Sequence, residues 1–387
     1  MPFTSTLWDA PERQALRATV AGFVDRHILP HQDAWEREGL IPRELHGEAA
    51  KLGLLGLGVD EEVGGSGGDF VDAVILEEEL LYRGASGGVF ASLFTSGIAL
   101  PHLIAAGDAD QIDRWVRPTL AGQKIGSLAI TEPSGGSDVG HLRTTAQLDG
   151  DAFIVNGSKT FITSGVRADF VVTAVRTGGA GAGGVSLLVV EKGTPGFTVT
   201  RKLDKMGWLA SDTAELSYQD VRVPTTNLVG AQNSGFAQIA NAFVTERVAL
   251  AVQAYAHAQR CLDLTLAWVR DRETFGRPLI SRQSVQNTVT EMARRIDVAR
   301  TYTRAIVESQ VNGSPADLLA EVCFAKNTAV EAGEWVANQA VQLFGGMGYM
   351  NGTEVERQYR DMRILGIGGG TTEILTGLAA KRLGYQA

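Results

Sequence analysis

The 387-residue chain carries 35 basic and 44 acidic side chains, a net charge of −9, with 44% apolar and 20% charged residues. That length exceeds what one hydrophobic core supports, so two or three domains are expected, and the scattered basic residues exclude the clustered face of a nucleic-acid or anionic-membrane binder. Two cysteines, Cys261 and Cys323, exclude a disulfide framework or a CxxC metal site, while the N-terminus lacks a basic leader and no apolar run approaches the roughly 18 residues of a membrane span; a reducing, cytoplasmic setting is expected.

From Glu12 to about Gly122 apolar residues recur at three- and four-residue steps, as at Val71, Val74, Ile75 and Leu80, which predicts a helical N-terminal domain over 1–125. Between Gly126 and Asn227 the pattern becomes short β-branched and apolar runs, such as FVVTAV at 170–175 and VSLLVV at 185–190. These predict a mostly antiparallel β-domain, a barrel or sandwich, over 126–228. The pair Asp149-Gly150 between two such runs suits a two-residue hairpin turn. After Gly235 the helical period returns in long stretches, 236–271, 281–311 and 317–344, and predicts a helical bundle over 229–387. The fold class is therefore α+β, in three domains.

Some motifs invite a reading that their surroundings deny. Gly179 to Gly184 spell GxGxxG after a strand, but VSLLVV is another strand, not the helix whose N-terminus would meet a pyrophosphate, so a hairpin loop is expected. No phosphate-loop motif is present, and the six histidines form no recognisable Ser/His/Asp context. His27 and His31 have the spacing of two imidazoles on one helix face, yet Pro30 lies between them and no acidic or cysteine cluster completes a ligand set. No metal site is expected.

The loop TEPSGGSD at 131–138 follows a short apolar strand and can bring hydroxyls and backbone N–H groups to a flat polar ligand. It is preceded by EEVGGSGGDF at 61–70 and followed by NGSKTFITSG at 156–165, RETFG at 272–276, QLFGGMGYM at 342–350 and GGTTEI at 369–374. In that order and spacing the chain resembles, end to end, the flavin-dependent acyl-CoA dehydrogenases. The resemblance implies a helical domain, a β-domain and a four-helix bundle, with FAD between the last two. It implies that Leu128, Ile130, Thr131 and Ser137 line the flavin, Ser137 also meeting substrate, and that Phe161 and Thr163 lie on its face, Phe161 replacing a tryptophan often found there. Arg272, Phe275 and Gln283 match residues that hold the dinucleotide part of FAD across a subunit interface, as do Gln342, Gly345 and Gly346. Thr371 and Glu373 match residues beyond the thioester site, and Gly369 and Gly370 its backbone.

Abstraction of a proton α to a thioester needs a carboxylate near that carbon and donors on the thioester oxygen. Many relatives place this glutamate immediately before the Gly-Thr of the last motif, where this chain has Gly369. Glu246 supplies an alternative. Ile239, Phe243, Glu246 and Leu250 share one helix face, so the carboxylate projects into an apolar stripe, where an unpaired acid is costly unless it is neutral, paired or functional. The bland reading is a buried ion pair. The isovaleryl-CoA and long-chain relatives carry their base at this place, in a Glu-Arg pair, with a small residue where Gly369 stands. Glu132, Glu354 and Glu373 suit the role less by resemblance. Gly369 keeps its backbone N–H, which in the family holds the thioester oxygen together with a flavin hydroxyl, and Arg247, about 100° round the helix, is expected to support the substrate site.

The resemblance thus implies an FAD enzyme in which Glu246 takes the α-proton of an acyl-CoA, the β-hydride goes to flavin, and a 2,3-enoyl-CoA results. It implies an electron-transfer flavoprotein as acceptor and a homotetramer. The rivals are a flavin oxidase or monooxygenase acting on a non-CoA substrate, and a binding or assembly protein that kept the fold. The Glu246-Arg247 pair argues against the first, and bleaching of flavin by any acyl-CoA would exclude the second. Acyl length is not read, although Ala91, Ser92, Gly97 and Ala237 permit a roomy pocket.

Overall fold

A computed structural model describes residues 6–313 and 317–385, so the outermost residues of the first and last expected domains lie outside the described residues. Helix Pro11–Phe23 packs on helix Phe70–Tyr82, which opens with a reciprocal cap: Asp69 accepts from the N–H groups of Val71 and Asp72, and the Asp72 side chain accepts from the Asp69 N–H. The predicted apolar stripe is buried, with Val71, Val74, Ile75 and Leu80 all in the core. His27 and His31 do not share a helix. His27 stacks on Phe23 in one helical segment, and His31 packs on Trp35 at the start of the next.

One expectation is corrected here. Residues 87–106 are long and apolar enough to cross a membrane by length and composition. They divide at Phe94 and Thr95 into helices Gly87–Leu93 and Ser96–Ala106, which bury Val89, Leu93, Leu100 and Leu103.

The β-domain is one curled seven-stranded sheet: β1 (Gly126–Ala129), β2 (Thr145–Asp149), β3 (Ala152–Thr163), β4 (Phe170–Arg176), β5 (Val185–Glu191), β6 (Phe197–Lys202) and β7 (Thr213–Pro224). The order is β1-β4-β2-β3-β7-β6, with β5 on the other edge of β4. Strands β4 and β5 are buried along nearly their whole length, as expected of unbroken apolar runs, and residues 179–184 form the loop of their hairpin. Antiparallel pairing dominates, but β1 runs parallel to β4. The β2–β3 hairpin differs from expectation by one residue. Asp149 pairs with Ala152, so the loop is Gly150-Asp151, with glycine in the first place at φ 63°. Only glycine meets that first-position angle freely, as in a type II′ turn.

Helices Gly235–Asp271, Gln283–Val311 and Leu319–Phe344 form the bundle, within one or two residues of the predicted stretches, and the shorter Thr372–Arg382 packs on the third. Cys261 and Cys323 are buried free thiols in the first and third of these. Two buried acids join the layers. Glu78 of helix 70–82 pairs with Arg304 at 2.6 Å and accepts from the Tyr255 hydroxyl at 2.7 Å. Asp361, on helix Glu354–Met362, accepts from the Gly87 N–H at 3.0 Å and the Trp208 N–H at 2.6 Å, so all three domains meet at one carboxylate.

Candidate active site

A cavity of about 1720 Å³ lies where those domains meet. Its volume exceeds the few hundred to about 1,000 Å³ of an ordinary ligand pocket, so it has room for two sizeable ligands side by side. On the β side it is lined by Leu128, Ile130, Thr131, Ser137, Phe161 and Thr163, and on the helical side by Glu246, Gly369, Gly370 and Thr371.

The β wall is shaped by a bulge. Between Lys159 and Ile162, β3 gains one residue relative to β7, and Phe161 within it adopts φ 61° with 68% of its surface exposed. An aromatic residue in the left-handed region is strained, and bulges re-aim side chains, here turning the ring to the cavity. Ser127 Oγ donates to the Thr163 carbonyl at 2.6 Å and fixes the end of the same strand. The 131–138 loop is pinned by Glu132, which accepts from the N–H groups of Arg143 and Thr144 and from Lys159 Nζ at 2.9 Å. Burial raises the Glu132 pKa, but Lys159 and those donors outweigh it and hold the carboxyl below its ordinary value. Glu132 is therefore a fastening, not a base. A slot with hydroxyls at its rim, apolar side chains and a flat aromatic wall fits a flavin ring. Thr131 and Ser137 would hold the polar edge, and Phe161 and Thr163 the face.

Glu246 enters the cavity from the other side. It is half-buried and forms no hydrogen bond or ion pair among the described residues. Burial pushes its pKa up to about 7, against the lowering influence of the Arg247 and Lys326 cations. A free carboxyl poised near neutrality is what a general base requires. A side chain at Gly369 would place its Cβ 3.5 Å from Glu246 Oε1 and 2.4 Å from Leu250 Cδ1, so that volume is already taken by Leu250 and faces Glu246.

The loop carrying Gly369 is held by its carbonyls. Lys326 Nζ donates to the carbonyls of Gly368 and Gly370, both at 2.6 Å, and Arg247 Nε donates to that of Gly369 at 3.2 Å. The Gly369 N–H has no acceptor among the described residues. Arg247, expected to support the substrate site, does not itself line the cavity. It is buried, lies over the Phe243 ring at 5.7 Å, and reaches the cavity wall through the Gly369 carbonyl. Its 100° offset from Glu246 on the helix is the reason.

Lys326 was not singled out from the sequence, although it carries a signal like that of Glu246: a lone charge in the stripe Val322, Cys323, Ala329, Val330 and Gly333. Burial lowers its pKa to about 8. Lys326→Met should remove two of the three carbonyl anchors and slow substrate-driven flavin reduction about tenfold or more while flavin content stays near one per chain, as stopped-flow absorbance and denatured-flavin spectra would report.

Several expected residues are not brought to this cavity. Glu373 is solvent-facing in the first turn of helix 372–382, where Thr371 Oγ1 caps the Ile374 N–H, so only Thr371 of that pair lines the site. Arg272, Phe275, Gln283, Gln342, Gly345 and Gly346 lie outside its lining and are exposed, Phe275 by 97% at φ 52°. Arg282 supports that hairpin, donating to the Thr274 carbonyl at 2.7 Å with its guanidinium 5.4 Å from the Phe275 ring centre.

A carboxyl whose pKa is raised to about 7, facing the Gly369 loop beside a slot for a flat aromatic ligand, suits a proton-abstracting enzyme of the flavin-dependent class. Residues 10–123, 127–221 and 233–384 match the N-terminal, middle and C-terminal domain models of acyl-CoA dehydrogenases. The long-chain specific acyl-CoA dehydrogenase, mitochondrial, of Sus scrofa is 38% identical over 377 residues, 96% of this chain and 86% of that protein. The short-chain specific enzyme of Mus musculus is 36% identical over 368 residues, 95% and 89% of the two. A crystal structure from Mycobacterium smegmatis, named for the acyl-CoA dehydrogenases, superposes with a TM-score of 0.97 at 73% identity, covering 98% of this chain and 100% of its own. The chain belongs to the acyl-CoA dehydrogenase family. It is a flavin-dependent oxidoreductase that dehydrogenates an acyl-CoA thioester.

Proposed function

We propose that this chain converts an acyl-CoA to its 2,3-enoyl-CoA with Glu246 as the base that takes the α-proton and FAD as the cofactor. The observation that carries the reading is Glu246, unpaired in the cavity and facing the Gly369 loop. The Gly369 N–H would donate to the thioester oxygen, stabilising the charge that develops there as the proton leaves. Lys326 and Arg247 hold that N–H in place through the loop carbonyls. FAD bound against Phe161 and Thr163 would supply the acceptor for the β-hydride. Anaerobic bleaching of the flavin by a panel of straight, branched and ring-bearing acyl-CoAs tests the reading, and no bleaching by any of them would refute it. Oxygen turnover comparable to that of an artificial acceptor would favour the oxidase alternative.

An electron-transfer flavoprotein as oxidant, a homotetramer and a cytoplasmic setting belong to the same proposal. Support for the assembly comes from Arg272, Phe275, Gln283, Gln342, Gly345 and Gly346, which are exposed and outside their own cavity lining, as residues that complete a neighbour's dinucleotide site would be. Arg272→Ala should then lower FAD retention on gel filtration and loosen the assembly, through loss of a charge-assisted contact worth about 1.5–3 kcal/mol. Arg270→Ala, on the exposed end of helix 235–271, is the control, since Arg282 braces the hairpin. Equal FAD retention by both variants would remove the assignment, and so would a stable monomer with full FAD in sedimentation.

A further inference from the structure

The helical wall of the cavity holds a second polar feature that proton abstraction does not use. Glu77 on helix 70–82 and Gln253 on helix 235–271 both line it, and each is only 4% exposed. Glu77 Oε1 and Gln253 Oε1 have no hydrogen-bond partner. Nearby cavity walls are apolar: Val74 one turn from Glu77, Leu250 one turn from Gln253, and Phe90. Buried oxygens left unpaired in such surroundings are costly, and a ligand that supplies a donor removes that cost. The charge on helix 70–82 is otherwise spoken for: Glu78, the next residue, is bound by Arg304, Arg17 and Tyr255.

Position relative to the base is fixed by the helix. Glu246, Ala249, Leu250 and Gln253 line the cavity at three- and four-residue steps, so Gln253 lies two turns, about 10 Å along the axis, from Glu246. We propose that Glu77 and Gln253 form a polar subsite for a hydroxyl on the acyl chain, roughly six to nine carbons from the α-carbon, so that hydroxyacyl-CoAs are the preferred substrate class. This rests on the acyl-CoA reading above and deepens it.

The chemistry of the pair selects the hydroxyl. Burial, with Glu78 adding to it and the Gln253 side chain opposing, raises the Glu77 pKa well above its ordinary value and so favours the protonated acid, which can donate. A hydroxyl accepts that proton's hydrogen bond and donates its own to Gln253 Oε1. A ketone has nothing to donate to Gln253. A carboxylate end would meet no cation acting on Glu77.

The test uses the flavin-loaded enzyme in anaerobic stopped flow. ω-Hydroxyacyl-CoAs of about eight to eleven carbons are each compared with the unsubstituted acyl-CoA of equal length. At the length that reaches the pair, the hydroxylated substrate should be favoured roughly 10- to 100-fold in kcat/KM for flavin reduction. Gln253→Leu and Glu77→Leu should bring that ratio to one or below, whereas Glu77→Gln, which keeps a donor and an acceptor, should retain most of it. Each ratio is measured within one variant, so the folded fraction cancels. If the unsubstituted chain reacts as fast as its hydroxylated counterpart at every length, the orphan oxygens hold only water and the subsite is refuted, with acyl-CoA dehydrogenation intact. If neither series bleaches the flavin, dehydrogenation itself falls, and the subsite with it.

Discussion

Glu246→Gln should slow flavin reduction by a good acyl-CoA roughly 10²- to 10⁴-fold, the usual contribution of a positioned base. The amide keeps the shape of the side chain and deletes only the proton acceptor, so FAD content and acyl-CoA binding should stay near wild type. The pH dependence follows from the same environment. Burial raises the Glu246 pKa to about 7, and only the carboxylate can take the α-proton, so the reduction rate should rise as pH increases through about 7. In Glu246→Gln that limb should vanish. Stability runs the other way. Between the ordinary carboxylate value near 4.5 and about 7, the folded chain keeps a proton that the unfolded chain has released, so this contribution is present below that window and lost as pH rises through 7. Thermal unfolding at pH 8 should therefore favour Glu246→Gln over wild type, with the gap closing toward pH 4.5. A variant that reduces its flavin at the wild-type rate would make Glu246 a structural residue.

Glu246 stood out in the sequence because a carboxylate in an apolar helical stripe has few bland explanations. The helices were readable for a related reason: their stripes are buried as the period requires, and the fully buried β4 and β5 are unbroken apolar runs. What escaped depends on partners distant in sequence. Nothing near Gly126 says that β1 pairs in parallel with β4, more than forty residues later. Asp149-Gly150-Asp151 is compatible with either of two turn registers, and the pairing of Ala146 with Val155 and Leu148 with Phe153 selects one. The left-handed Phe161 has no local signature either, since the bulge that contains it is defined by its register against β7. Arg247 is adjacent to Glu246 in sequence, yet its guanidinium reaches the Gly369 carbonyl rather than the cavity, a contact with a partner more than a hundred residues away.

Moving the base to position 369 gives the second large effect. Gly369 has φ 63°, and a Cβ there would lie 2.4 Å from Leu250 Cδ1. Gly369→Glu therefore combines backbone strain of about 1–3 kcal/mol with a collision, and should cost at least tenfold in flavin reduction on its own. On the Glu246→Gln background it should restore nothing while Leu250 occupies the space. Adding Leu250→Ala opens that space, and the new carboxylate then starts from a Cβ only 3.5 Å from the present position of Glu246 Oε1. The triple variant should recover about tenfold over Glu246→Gln/Leu250→Ala, the comparison that accounts for the cavity left by the leucine. Thermal unfolding of both would separate lost folding from lost chemistry. Recovery would show that positions 246 and 369 address one reacting carbon from two elements, which explains how a chain with glycine at one of them keeps its base at the other. A folded triple variant no faster than its comparison would mean that the two positions do not share that carbon.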